Sequence, residues 1–245
     1  MFMRPVDHAV AAVLAGDDAR LDALLDDDAT IAVQRTMFGV SPLLAARAVG
    51  REDLVARLRP TGALPLVLAA ELGDVDAVCA ALAADPGAVG ARDANGSTAL
   101  HGASYWGRAD VAEHLLRAGA DPRAITEDEF LRIPVLGSAI ATTPGVPQPS
   151  DDEDVVLRLV RMLLECGADP GQTRRDGMTA LHSAAWRGLD RVVQELLDAG
   201  ADRSAQATDG PHAGQTCADV ALAQGHLVLA SHLDSGASDV ASPYG

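Results

Sequence analysis

The chain has 245 residues, 48% of them hydrophobic but only 3% aromatic, enough apolar side chain for a long core of small aliphatic residues. Its cations are all arginine, and 35 acidic residues outnumber them for a net charge of −16, a balance that repels phosphate backbones and anionic lipid and argues against nucleic acid or membrane binding. No stretch approaches the roughly 18–20 apolar residues that span a bilayer. The three cysteines, Cys79, Cys166 and Cys217, are far apart with no metal-type pair, which fits a reducing, cytoplasmic compartment.

Residues 8–25, HAVAAVLAGDDARLDALL, keep apolar helical spacing around Gly16 and predict a first helix pair. The short apolar run near the N-terminus could pass for a leader, but Asp7 and His8 break it and it fits this register. Two more pairs are expected, in SPLLAARAVGREDLVARL around Gly50 and in LPLVLAAELGDVDAVCAAL around Gly73. Gly16 to Gly50 and Gly73 to Gly107 are both 34 residues apart. The fourth unit, STALHGASYWGRADVAEHLLRAGADP at 97–122, is repeated as MTALHSAAWRGLDRVVQELLDAGADR at 178–203, with 13 of 26 positions identical. Between them PVLGSAI, at 134–140, reads as a first helix and DVVLRLVRMLLECGADP, at 154–170, as a second. Pro144, Pro147 and Pro149 forbid helix in the stretch joining them, so an inserted loop is expected at about 141–153. A last pair follows in TCADVALAQGHLVLASHL around Gly225, and residues 235–245, small and polar, are expected to form a flexible tail.

Each second helix carries one apolar stripe, such as Val111, Leu115 and Leu116. A lone helix pair cannot bury it, so the units must stack on one another. Ala69, Ala103 and Ala184 in the first helices allow close approach.

Thr98, Ala99, Leu100, His101 and Ala103, then Gly107, the Leu115 and Leu116 pair, and Gly119, Ala120 and Asp121 follow a T-P-L-H-x-A turn, a turn glycine and a GAD loop. This pattern, matched again from Thr179 to Asp202, resembles the ankyrin repeat. The resemblance implies an all-α ankyrin-repeat solenoid of about seven stacked helix-turn-helix units with short hairpin loops, a single domain over 1–234. Absence of lysine beside abundant Ala, Arg, Asp and Gly gives the composition a prokaryotic look.

Catalytic readings fail on residue type and spacing. His101 and His182 sit in the TALH turn, where the resemblance implies an imidazole bonded to neighbouring loop backbone. The acidic run 151–154 lies where carboxylates complement a helix N-terminus. With no phosphate loop, no nucleophile elbow and no Cys–His metal set, the chain is expected not to be an enzyme and to carry no cofactor or metal.

The resemblance implies instead an interaction scaffold or adaptor, acting as a monomer, that binds a basic or amphipathic protein partner on its concave side; a regulator or inhibitor of a specific enzyme is the alternative. That side is lined by positions near the end of each first helix: Glu71 and Leu72, Tyr105 and Trp106, Ala141 and Thr142, Trp186 and Arg187, Ala223 and Gln224. The hairpin tips add Arg92, Asp93 and Asn95, then Arg174, Arg175, Asp176 and Met178. Tyr, Trp and Arg bring large contact area with a polar handle. Leu227 and Leu229 near the last repeat leave self-association open as a further possibility, the alternative being that one of them caps the core.

Overall fold

The computed structural model describes residues 4–36, 39–93, 96–127, 132–141 and 152–235. Among them the chain forms fourteen α-helices and no strand. They fall in consecutive pairs: α1 (Pro5–Ala15) with α2 (Asp18–Asp27), α3 (Pro42–Ala48) with α4 (Glu52–Leu58), α5 (Leu66–Leu72) with α6 (Val75–Ala84), and α7 (Ala99–Tyr105) with α8 (Ala109–Arg117). Then come α9 (Val135–Ile140) with α10 (Glu153–Glu165), α11 (Ala180–Arg187) with α12 (Asp190–Asp198), and α13 (Cys217–Ala223) with α14 (Leu227–Ser235).

Local chemistry sets the ends of these helices. Ser41, Thr98, Thr179 and Thr216 precede α3, α7, α11 and α13, and each hydroxyl accepts the backbone N–H three residues on, satisfying one of the donors a helix start leaves open. Between the helices of a pair, Gly16, Gly50, Gly73, Gly107, Gly188 and Gly225 hold φ of 66° to 85°, the left-handed turn that only glycine enters at little cost. Asp17 and Asp74 then cap α2 and α6 through the amides of Arg20 and Ala77.

The first helices stack into an inner layer, α5 on α7, α7 on α9 and α11 on α13, while α6, α8, α10 and α12 form the outer one. Ala69, Ala103 and Ala184 are fully buried in the inner layer, where a longer side chain would hold the helices apart. Leu100, Val111, Leu115, Leu159, Leu163, Leu181 and Leu196 fill the space between layers, each buried leucine worth about 1.5–3 kcal/mol. Among the described residues each unit packs mainly on its neighbours, so the core is long and thin.

Hairpins project from the inner layer, closed by single antiparallel bridges at Arg92 with Thr98, Ile125 with Pro134, Thr173 with Thr179 and Gln206 with Thr216. Successive hairpins bond to one another, the Thr208 N–H donating to the Asp176 carbonyl at 2.8 Å.

One unit departs from this pattern. Ala141 leaves α9 extended, at φ −70° and ψ 151°, in place of a turn glycine. The expected insertion at 141–153 falls largely on residues 142–151, outside the described residues, and α10 begins at Glu153, capped by Asp152. The expected tail at 235–245 likewise falls outside them from 236 onward. Residues 5–27 form the helix pair expected there, with Val6, Val10 and Val13 buried. Cys79 and Cys166 are exposed and Cys217 is buried, and of the two leucines in the last helix Leu229 is in the core while Leu227 is exposed.

Candidate partner-binding face

A first helix ends one or two residues before its turn glycine, and the last two side chains ahead of that glycine point about 100° apart. Trp186, two residues before Gly188, is 44% exposed, and Tyr105, two before Gly107, is half-buried. Tyr105 meets Trp106 edge to face, centroids 5.6 Å apart at 86°.

At the ends of α5 and α7 the residue next to the glycine turns the other way. Leu72 and Trp106 are only 3% and 1% exposed, and Trp106 is the largest fully buried side chain in the described core. Both were expected on the contact face; the helical rotation puts them between the layers instead. Glu71 has the outward register yet is 5% exposed, because Arg35 from the preceding unit covers it with two hydrogen bonds. Burial pushes the Glu71 carboxyl upward against the opposing pull of Arg35. Its path is open because Gly102 has no side chain: a Cβ there would lie 2.6 Å from Glu71 Cγ.

The arginines are divided between structure and surface. Arg187 donates from Nη1 to the Ile140 carbonyl at 2.7 Å, closing the C-terminus of α9 where the turn glycine is missing. Arg92 donates to the carbonyls of Gly96 and Ile125 at 2.6 and 2.8 Å and pairs with Glu127 at 3.1 Å, which holds two hairpins together. Arg174 is ion-paired to Asp176 inside its own hairpin. Arg175 is exposed, as are Ala223 and Gln224. Met178, expected at a hairpin tip, is 6% exposed, since the tip folds it back under Arg174, whose Nη2 lies 3.7 Å from the sulfur. Asn95 and Thr142 lie outside the described residues.

Trp186, Met178, Arg174 and Arg187 do come together, around a cleft of about 480 Å³ whose other walls include Ile133, Gly137, Ile140 and His212. Sequence reasoning missed the last four. His212 is held by Gln215, Nδ1 to Oε1 at 2.7 Å.

The two TALH histidines act as braces. His101 accepts the Thr98 amide at Nδ1, 3.2 Å, and its Nε2 faces the Ile133 carbonyl at 3.2 Å, so Nε2 carries the proton. Burial pushes its pKa down to about 4. His182 repeats the arrangement with Thr179 and the Gln215 carbonyl. Burial raises the Cys217 thiol to about 12, so it remains an inert packing group. Among the described residues no three His, Cys, Asp or Glu side chains are grouped to hold a metal ion, and no helix is long and apolar enough to cross a membrane.

Comparison with known proteins agrees with this geometry. Residues 43–126 match a family model for ankyrin repeats in three copies, and residues 163–228 match one for ankyrin repeats in many copies. The chain is 34% identical over 113 residues, 46% of its length, to neurogenic locus notch homolog protein 1 of Xenopus laevis, of which it covers 4%. It is 30% identical over 144 residues, 56% of its length, to serine/threonine-protein kinase TNNI3K of Mus musculus, covering 16% of that protein. A shorter match, 48% over 59 residues, is to the calmodulin-binding transcription activator CBT of Oryza sativa subsp. japonica, with 23% of this chain and 6% of that one covered. The chain therefore spans only a small part of the length of these relatives.

Proposed function

Because this chain carries ankyrin repeats folded as an all-α solenoid, we propose that it is a protein-binding scaffold of seven repeats whose concave side, at the cleft before α11, receives a partner protein in the cytoplasm. Ankyrin repeats are in general protein–protein interaction modules. The observation that carries the reading is Trp186: a tryptophan 44% exposed at the mouth of a cleft is a large, rigid anchor of the kind that dominates binding energy. We assign the half-buried Tyr105 and the exposed Arg175 to the same binding face. A net charge of −16 favours a basic or amphipathic partner and speeds its approach, and an interface of ordinary size would bury about 800 Å² on each side.

The test is affinity capture from lysate by the wild-type chain and by Trp186→Ala. A defined protein held by the wild type and lost from the variant supports the concave site. Equal capture by both moves the binding surface elsewhere.

A further inference from the structure

The cleft lies where α9 lacks the histidine that both neighbouring first helices, α7 and α11, carry. Aligned on their N-caps, Pro134 with Thr98 and Thr179, the first helices place Gly137 at the position of His101 and His182. Each of those imidazoles reaches forward to the carbonyl just before the next N-cap, His101 to Ile133 and His182 to Gln215. The corresponding carbonyl ahead of α9 belongs to Met178. It receives the Arg174 amide at 2.9 Å, as Ile133 receives the Thr126 amide and Gln215 the Ala207 amide at 3.0 and 3.1 Å, but position 137 offers it no ring. A Cβ built on Gly137 meets nothing nearer than 3.5 Å, so the room is real, and Gly137 and Met178 both line the cleft.

We propose that this cleft is a pocket for one planar ring bearing an N–H, a histidine or tryptophan side chain presented by the partner, taking the place that His101 and His182 fill in their own repeats. The proposal rests on the concave-face reading above. Ile133, Ile140 and Trp186 supply flat or apolar walls, and the Met178 carbonyl supplies the acceptor that gives the ring its orientation. The ring would be carried by the basic or amphipathic partner that the net charge of −16 favours.

The side-chain analogues 4-methylimidazole and 3-methylindole test the pocket without any partner. Each is titrated into ¹⁵N-labelled protein while the Trp186 indole N–H resonance is followed, assigned by its absence in Trp186→Phe. The expected result is a saturable shift with a Kd on the order of millimolar, at least about ten-fold weaker in Gly137→His, whose new imidazole occupies the space and reaches the Met178 carbonyl. Gly137→Ile, which fills the space without an N–H, weakens the binding likewise and serves if the first variant fails to fold. No saturable shift in the wild type, or an equal shift in a folded Gly137 variant, overturns the pocket. Ring binding that persists while partner capture ignores Trp186 counts against the concave-face reading alone. Trp186-dependent capture without ring binding counts against the pocket alone.

Discussion

Arg35 and Glu71, 36 residues apart, are joined by two parallel hydrogen bonds, Nη1 to Oε1 at 2.8 Å and Nη2 to Oε2 at 2.6 Å. The same guanidinium donates to the Gly39 carbonyl at 2.9 Å, so one side chain ties the loop before α3 to the end of α5. Glu71→Ala leaves Arg35 desolvated without its carboxylate, and urea unfolding should show a loss of about 3 kcal/mol. The double variant Arg35→Ala/Glu71→Ala should lose less than the two single variants together, because neither leaves the other's charge stranded. Simple additivity would show that the pair is not coupled.

Gly188 and Gly16 share nearly the same backbone, φ 68° and 72°, but not the same surroundings. A Cβ on Gly188 would lie 2.5 Å from the ring of His226, whose Nε2 caps the α11 C-terminus at the Trp186 carbonyl, 3.2 Å away. Nothing lies within 4 Å of a Cβ on Gly16. Gly16→Ala should therefore cost only the left-handed backbone penalty of about 1–2 kcal/mol, and Gly188→Ala clearly more. Equal losses on chemical denaturation would refute the stacking role of His226.

The two tryptophans should separate cleanly. Trp106→Ala empties a fully buried site and is expected to cost about 3–5 kcal/mol. Trp186→Ala removes an exposed ring and should change stability by no more than about 1 kcal/mol while weakening partner binding. Matching denaturation midpoints for the two variants would contradict this division.

His101 makes stability depend on pH. Burial lowers its pKa from 6.5 to about 4, so the unfolded chain takes up a proton on this ring before the folded one does. Its contribution is complete above pH 6.5 and is lost as the pH falls toward 4, a change on the order of 3 kcal/mol. His101→Asn, which does not titrate, should flatten that part of the stability curve. An unchanged slope in the variant would assign the acid loss to other groups.

The helix pairs, turn glycines and bracing histidines were legible because each is a local property: a cap acts three residues away, and an apolar stripe repeats with the turn of one helix. Placing Trp106 and Leu72 on the contact face failed because the last turn of a first helix has one side facing out and one facing in, and residue type does not say which. The burial of Glu71 was hidden for another reason. Its cover comes from Arg35, a residue with no repeat signature. The cleft had one faint signal, the glycine of PVLGSAI at the histidine position, and its meaning depended on what stands opposite.

The sequence by itself determined the repeating unit, since a 34-residue period with its caps and glycines is written in short-range chemistry. Tertiary structure alone decided which side chains are available to a partner. Exposure is settled by the neighbouring unit: His226 over Gly188, Arg187 on Ile140, Arg35 over Glu71. In a stack where every unit is buried only by the next, the surface belongs to pairs of units, and only folding brings the pairs together.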